Sequence, residues 1–171
     1  EEVVVTAQRR AQNLQEVPVA IDVYSGDTLA QAGVADLDDL SQISSSYSIN
    51  SAGGSAQPFI RGIGSNVLGN GAYASVATYI DGAYIPRGYS LASGAGSLMG
   101  IESIQVLKGP QGSLYGRNAT GGAIVITTRT PHPNDDLGGS VQATLGDLGV
   151  KRGGAMIYGG NKNKFAGLLA V

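Results

Sequence analysis

The sequence predicts an α+β domain of short strands and short helices, followed by a run of antiparallel strands. Three observations predict it. Glycine is abundant, at 27 of 171 residues with six prolines, yet Tyr, Ile, Val and Leu are too frequent for a disordered tract. Many tight turns between short strands reconcile the two. Up to residue 131 the pattern switches between period-2 alternation and short pieces with helix-capping signals. Beyond Asp136 it becomes segments of about ten residues, alternating in polarity and broken by turn residues, the sequence signature of a membrane β-barrel.

In chain order, Glu1–Ala7 begins with two acids and continues as a β-branched run with no partner strand nearby, and Arg9–Gln15 reads as a polar linker. Val17–Val23 alternates, placing Val17, Val19, Ile21 and Val23 on one face of a half-buried strand, with Pro18 near its start where a missing N–H is tolerated. Ser25-Gly26-Asp27-Thr28 caps a helix over Leu29–Ala32, which Gly33 stops. A second helix is expected over Asp36–Ile43, with Asp36, Asp38 and Asp39 in its first turn, where the helix dipole favours negative charge.

Ser44–Gln57 reads as a loop around a short extended piece at Tyr47–Ile49. Pro58–Gly62 is a strand ending in a glycine turn. Val76–Ile80 and Ala83–Ile85 flank Asp81-Gly82, the strongest short hairpin signal available. Loops are expected at 62–74 and 87–100, the second with one helical turn near Ser97–Met99. Ile101–Leu107 is a strand, Gly109–Gly122 a glycine-punctuated turn region, and Ala123–Thr128 a β-rich run ended by Pro131 and Pro133. Gly139–Leu145, Lys151–Gly160 and Lys164–Val171 are further strand-length pieces, which sets a domain boundary at Pro131–Leu137.

Composition narrows the chemistry. A net charge of −2 argues against a nucleic-acid binder, which would show a basic excess or stripe. The charges are nonetheless uneven, with eight acids against two bases in residues 1–50 and seven bases against four acids in 101–171. The absence of cysteine excludes disulfide scaffolds, thiol catalysis and Cys-based zinc sites. The single histidine, His132, lies between two prolines and cannot build a histidine cluster, so no metal site and no cofactor are expected. No stretch approaches the ~18 apolar residues of a transmembrane helix. The absence of an initiating Met and of a basic-then-apolar leader reads as a mature or trimmed segment.

Catalytic motifs are missing. Gly109–Gly122 lacks the Gly-Lys-Ser/Thr ending of a phosphate loop. Gly94-Ala95-Gly96 followed by Gly100 misses dinucleotide spacing by one residue, and no Gly-x-Ser-x-Gly elbow occurs. An enzyme is not expected.

Four motifs in order resemble the plug domain of TonB-dependent outer-membrane receptors. Glu2-Val-Val-Val-Thr-Ala7 resembles the TonB box, Ile60-Arg-Gly-Ile-Gly64 the plug's IRG turn, and Tyr79-Ile-Asp-Gly-Ala-Tyr84 its DG hairpin. Ile101–Ile124, with Leu114-Tyr115-Gly116 and Gly121-Gly122, resembles the family's longest signature. Together they span nearly all of residues 1–131. The resemblance implies an α+β plug with a small mixed sheet, facing the periplasm inside a bacterial outer-membrane barrel. It divides the chain into a TonB box at 1–8, a plug at 9–131 and the first barrel strands at 132–171.

The function it implies is gating of active uptake of a small nutrient complex, a ferric siderophore foremost. The implied partners are the TonB protein of the inner-membrane energy-coupling complex, a small-molecule substrate such as a metal chelate, and the outer membrane through the barrel; no nucleic acid is implied. Glu2, Val3, Val4, Val5, Thr6 and Ala7 would bind TonB as an added strand, since an unpaired extended segment can donate main-chain bonds to a partner's edge. Val3–Val5 can equally be the plug's own first strand. Arg61 and Lys108 occupy positions where the family places basic residues that pair with barrel-wall carboxylates, and Lys108 stands where many relatives have Arg, losing bidentate geometry. Asn66, Asn70, Tyr73, Arg87 and Tyr89 lie in the loops that match the family's substrate contacts. Gly138–Val171 provides only about three strands of membrane-spanning length, whereas family barrels use about 22. A second reading is therefore a shortened plug-like protein whose open strand edges assemble into sheets or filaments.

Overall fold

The computed structural model describes residues 4–5, 12–13, 19–52, 55–67, 73–85, 98, 100–145, 151–161 and 165–170. The chain divides into two compact units, Glu1–Thr127 and Thr128–Val171. The first is α+β with a small mixed sheet, and the second is an antiparallel three-stranded sheet.

Two residue pairs open the first unit: β1 (Val4–Val5) pairs antiparallel with β2 (Gln12–Asn13). The Val run was expected to lack a partner and the Arg9–Gln15 stretch to be a linker. Strand pairing is a backbone bond, so polar Gln12-Asn13 can supply it without any hydrophobic pattern. Next, β3 (Ile21–Ser25) begins later than the predicted Val17 strand, whose Val17 and Pro18 lie outside the described residues. The predicted face holds, with Val19, Ile21 and Val23 packed together against one hydrophobic cluster.

Helix α1 (Gly26–Gln31) starts where its cap predicts. Ser25 is extended, and its hydroxyl accepts the Thr28 N–H at 3.2 Å. Gly33, at φ 71°, turns the chain out of the helix, and the Val34 N–H returns to the Leu29 carbonyl. Ser25→Ala is expected to cost about 1 kcal/mol, read as a lower urea midpoint with an unchanged slope.

The second helix is shorter than expected: α2 covers only Leu40–Ile43. The Asp36 carboxylate accepts the N–H groups of both Asp38 and Asp39 through Oδ1, and Asp39 Oδ2 accepts the Ala35 N–H. These side-chain bonds fold residues 35–39 into turns that compete with the helix they were expected to begin. The predicted loop at 44–57 is instead a hairpin of β4 (Tyr47–Ala52) and β5 (Ser55–Ile60), registered Tyr47↔Ile60 to Ala52↔Ser55. Gly53 and Gly54, between the two strands, lie outside the described residues.

The central sheet contains β6 (Val76–Ile80), β7 (Ala83–Ile85), β8 (Ile101–Lys108) and β9 (Gly122–Thr128), with β3 at one edge, in the order β3-β8-β9-β6-β7. β3–β8 and β6–β7 pair antiparallel, and β6–β9 parallel. A short helix, α3 (Gly112–Tyr115), lies in the β8–β9 connection.

Both faces of this sheet are covered. Alternate residues Val76, Ile104, Val106, Ile124 and Ile126 join one buried cluster with Leu29, Leu37, Leu40, Tyr47 and Ile60. Their neighbours Ala77, Tyr79, Leu107, Ala123 and Val125 join another with Tyr115 and Ala119. A sheet buried on two sides explains why β9 reads as a continuous apolar run over Ala123–Ile126. Burying each large aliphatic side chain stabilises the fold by about 1.5–3 kcal/mol relative to leaving it exposed.

The second unit comprises β10 (Gly138–Leu145), β11 (Lys151–Gly160) and β12 (Ala166–Ala170). Directly paired residues share a face, so the registers Val141↔Ala155, Gly139↔Ile157 and Ile157↔Leu169 gather an apolar stretch on one side, bounded by the Leu145↔Lys151 pair. Ser140, Gln142, Met156 and Tyr158 fall on the other. Val141, Ile157 and Leu169 are all more than half exposed. Arg129 lies over the Tyr158 ring, 3.6 Å from its centroid.

Candidate functional site

Two tight turns of the same kind organise the first unit. Ile60 and Ile63 exchange both backbone hydrogen bonds at 3.0 Å across Arg61-Gly62, whose φ values are 53° and 77°. Asp81-Gly82, at 47° and 80°, joins β6 to β7 in the same way. Positive φ at both central residues defines the hairpin turn whose twist matches paired strands. Arg61 is thus a non-glycine residue in the left-handed region, at a cost of order 1 kcal/mol or more. Its N–H donates to the Ser46 carbonyl at 2.8 Å, its side chain is exposed, and among the described residues its guanidinium has no hydrogen-bond or ion-pair partner.

Lys108, at the end of β8, lies on the same hydrogen-bonded chain. Its ammonium donates to Asp22 Oδ1 on β3 at 2.6 Å, with the two side chains 15% and 29% exposed. The other carboxylate oxygen, Asp22 Oδ2, accepts the Ser46 hydroxyl at 2.9 Å. Ser46 therefore bonds Asp22 through its side chain and Arg61 through its backbone. The two residues expected to face a barrel wall are connected through Asp22 and Ser46, and Lys108 has an acidic partner within its own domain. No local pattern signals this pair, because 86 residues separate its members.

The 109–122 connection is held by aromatic residues. The Tyr79 hydroxyl donates to the Tyr115 carbonyl, and the Tyr79 ring sits between those of Tyr84 and Tyr115, with centroids 5.5 and 5.1 Å away. Asn118, at φ 72°, donates from Nδ2 to the Tyr84 hydroxyl oxygen at 2.8 Å. Gln111 and Ala119 close the loop by a backbone bond of 2.8 Å. Gly122 then brings β9 against β8: a Cβ there would lie 2.3 Å from the Leu107 carbonyl oxygen.

Tyr47, the residue after Ser46, is buried in the hydrophobic core. Burial pushes its phenol well above the usual tyrosine range, and the charges of Asp38 and Asp36 push it further. It stays neutral and serves as core.

The expected loop contacts are only partly placed. Asn66 and Tyr73 are exposed, while Asn70, Arg87 and Tyr89 lie outside the described residues. Of the N-terminal segment, Val4 and Val5 form β1, while Glu2, Val3, Thr6 and Ala7 also lie outside the described residues. Among the described residues no group of three or more His, Asp or Glu side chains could hold a metal ion.

Residues 13–123 match the family profile described as TonB-dependent Receptor Plug Domain. The chain is 33% identical over 135 residues to the iron-regulated outer membrane virulence protein of Vibrio cholerae serotype O1, a match covering 75% of the chain and 20% of that protein. It is 35% identical over 134 residues to the vitamin B12 transporter BtuB of Vibrio vulnificus, covering 74% and 20%. Among solved structures, the ferric yersiniabactin uptake receptor FyuA of Yersinia pestis superposes with a TM-score of 0.69 at 26% identity, over 89% of this chain and 23% of that one. Pseudomonas aeruginosa FpvA superposes at 0.79 over 98% of this chain and 22% of its own, with 19% identity, a likeness of fold alone. The chain spans about a fifth of the length of the curated relatives it matches.

Proposed function

The chain belongs to the TonB-dependent receptor plug domain family, and from that premise we propose that it gates an outer-membrane active transporter for a small nutrient complex. The family sits in the outer membrane with the plug inside the barrel. The observation that carries the reading is the profile match over 13–123, placed between a β-branched N-terminal segment and an antiparallel sheet with one apolar face. Relatives named for iron and for vitamin B12 favour uptake of a chelate over catalysis, and a ferric siderophore is the foremost substrate.

In this reading residues 1–8 are the TonB box, 9–131 the plug, and 132–171 the first barrel strands. TonB adds to Glu2–Ala7 as a strand and draws energy from the inner membrane. Since β1 already pairs with β2, TonB takes the free edge of β1 or displaces Gln12–Asn13. Arg61, whose guanidinium is unpartnered among the described residues, is the better placed of the two basic residues to reach a barrel-wall carboxylate. Asn66, Asn70, Tyr73, Arg87 and Tyr89 supply substrate contacts from loops facing the cell exterior.

Deleting Glu2–Ala7 from the receptor that contains this chain should reduce uptake of radiolabelled ferric siderophore at least tenfold, with surface binding within twofold of normal. Uptake persisting at the normal rate would refute the coupling assignment. Growth on defined iron and cobalamin sources then ranks the substrates.

A further inference from the structure

We propose that Asp22 is the positioning residue through which the N-terminal edge strand holds the Arg61 turn. Three observations converge on it. First, among the described residues β3 is hydrogen-bonded to the sheet on one side only, to β8, through five residue pairs. It is also the sheet strand nearest the N-terminus, so displacement of the N-terminal segment reaches it first. Second, the two carboxylate oxygens of Asp22 divide their bonds between elements that the sheet does not join: Oδ1 takes the Lys108 ammonium on β8, and Oδ2 takes the Ser46 hydroxyl just before β4. Third, Ser46 passes the connection on, because its carbonyl accepts the N–H of Arg61, a residue held at a φ of 53° that side chains rarely adopt. The path from edge strand to turn is therefore β3, Asp22, Ser46, Arg61.

Withdrawing β3 removes Asp22 from both partners at once. Lys108 then loses the carboxylate that pairs it, and the Ser46 hydroxyl keeps only its longer 3.3 Å contact with Ser44 Oγ. The Arg61 turn is left with its internal Ile60–Ile63 bonds and a less constrained acceptor. Traction on the N-terminus is in this way converted into loosening of a turn on a different sheet. The direction of traction rests on the transporter reading, whereas the connection itself is a property of this chain and is tested without a partner.

The test is amide hydrogen exchange on the full chain in detergent micelles, followed residue by residue. The Asp81 N–H is the internal reference: it sits at the same position of an equivalent turn and donates to the Ile126 carbonyl on β9 at 3.0 Å rather than to Ser46. In D22N the Arg61 amide should exchange at least tenfold faster while the Asp81 amide stays within twofold. S46A, which leaves the Lys108–Asp22 pair intact, should give the same selective loss at Arg61. If D22N also lowers Asp81 protection, S46A decides. Arg61 protection unchanged in S46A, or lost there in parallel with Asp81, overturns the proposal. Deleting Glu2–Ala7 leaves every bond of this path in place, so failure of the coupling assignment and failure of this inference are distinguishable.

Discussion

Gly122→Ala is expected to destabilise the plug unit by about 2–6 kcal/mol, from roughly 1–3 kcal/mol of backbone strain and about 1–3 kcal/mol of overpacking. Gly122 sits at φ 147°, where L side chains are rarely found. A Cβ would fall 2.3 Å from the Leu107 carbonyl oxygen and 2.7 Å from Ile60 Cδ1. The isoleucine methyl can move aside. The carbonyl cannot, because Leu107 is fully buried in β8 and paired with Ile21. Urea denaturation followed by circular dichroism measures the loss. Gly112→Ala is the control, since its Cβ would meet nothing within 4 Å and its φ is not positive; its effect should stay within about 1 kcal/mol. Equal losses in the two variants would show that the close approach of β9 to β8 is not what Gly122 secures.

Val141→Arg is expected to separate a sheet in lipid from one in water. Val141 is 85% exposed on the apolar face of β10. In water an arginine at so open a site is close to neutral, as surface substitutions usually are. Against hydrocarbon the same change costs about 2–4 kcal/mol at mid-depth and less near the headgroups. Gln142, one residue on, faces the other side of the sheet, so Gln142→Arg should be tolerated. In the receptor that contains this chain, the expected outcome is reduced outer-membrane assembly for V141R and normal assembly for Q142R. Assembly that is normal for both would mean that this face does not lie against lipid.

The parts of the fold legible in the sequence are those written over a few neighbouring residues. Asp81-Gly82 announced its turn because both central positions need positive φ. Ser25 announced α1 because a hydroxyl must accept a first-turn N–H. Val19, Ile21 and Val23 announced their face because strand side chains alternate. What was hidden depends on backbone bonding or on distance. Gln12-Asn13 pairs with the Val run without hydrophobic content. The Ser-rich residues of β4 resemble a loop, although Tyr47 and Ile49 already lay on its inner face. Asp36 marked a helix start by charge, yet its carboxylate was used to fold the preceding turn.

The candidate site was legible as a set of residues and not as an arrangement. Arg61 and Lys108 stood out by motif, but Asp22 and Ser46, which connect them, had no signature of their own. Lys108 and Asp22 meet only because β3 and β8 are neighbours in the sheet, an adjacency that the order of the strands along the chain does not announce.

That adjacency also bears on how the molecule is made. Ile21 pairs with Leu107, so joining β3 to its sheet partner closes a loop of 86 residues, which is entropically costlier than any local hairpin. The parallel partner of β6 arrives only 46 residues after it, with Gly122 opposite Val76. Local hairpins such as β4–β5 form in microseconds once their residues exist. The folding plug is thus a collection of local hairpins around unpaired strands until β8 and β9 complete the sheet, and its open strand edges favour aggregation until then.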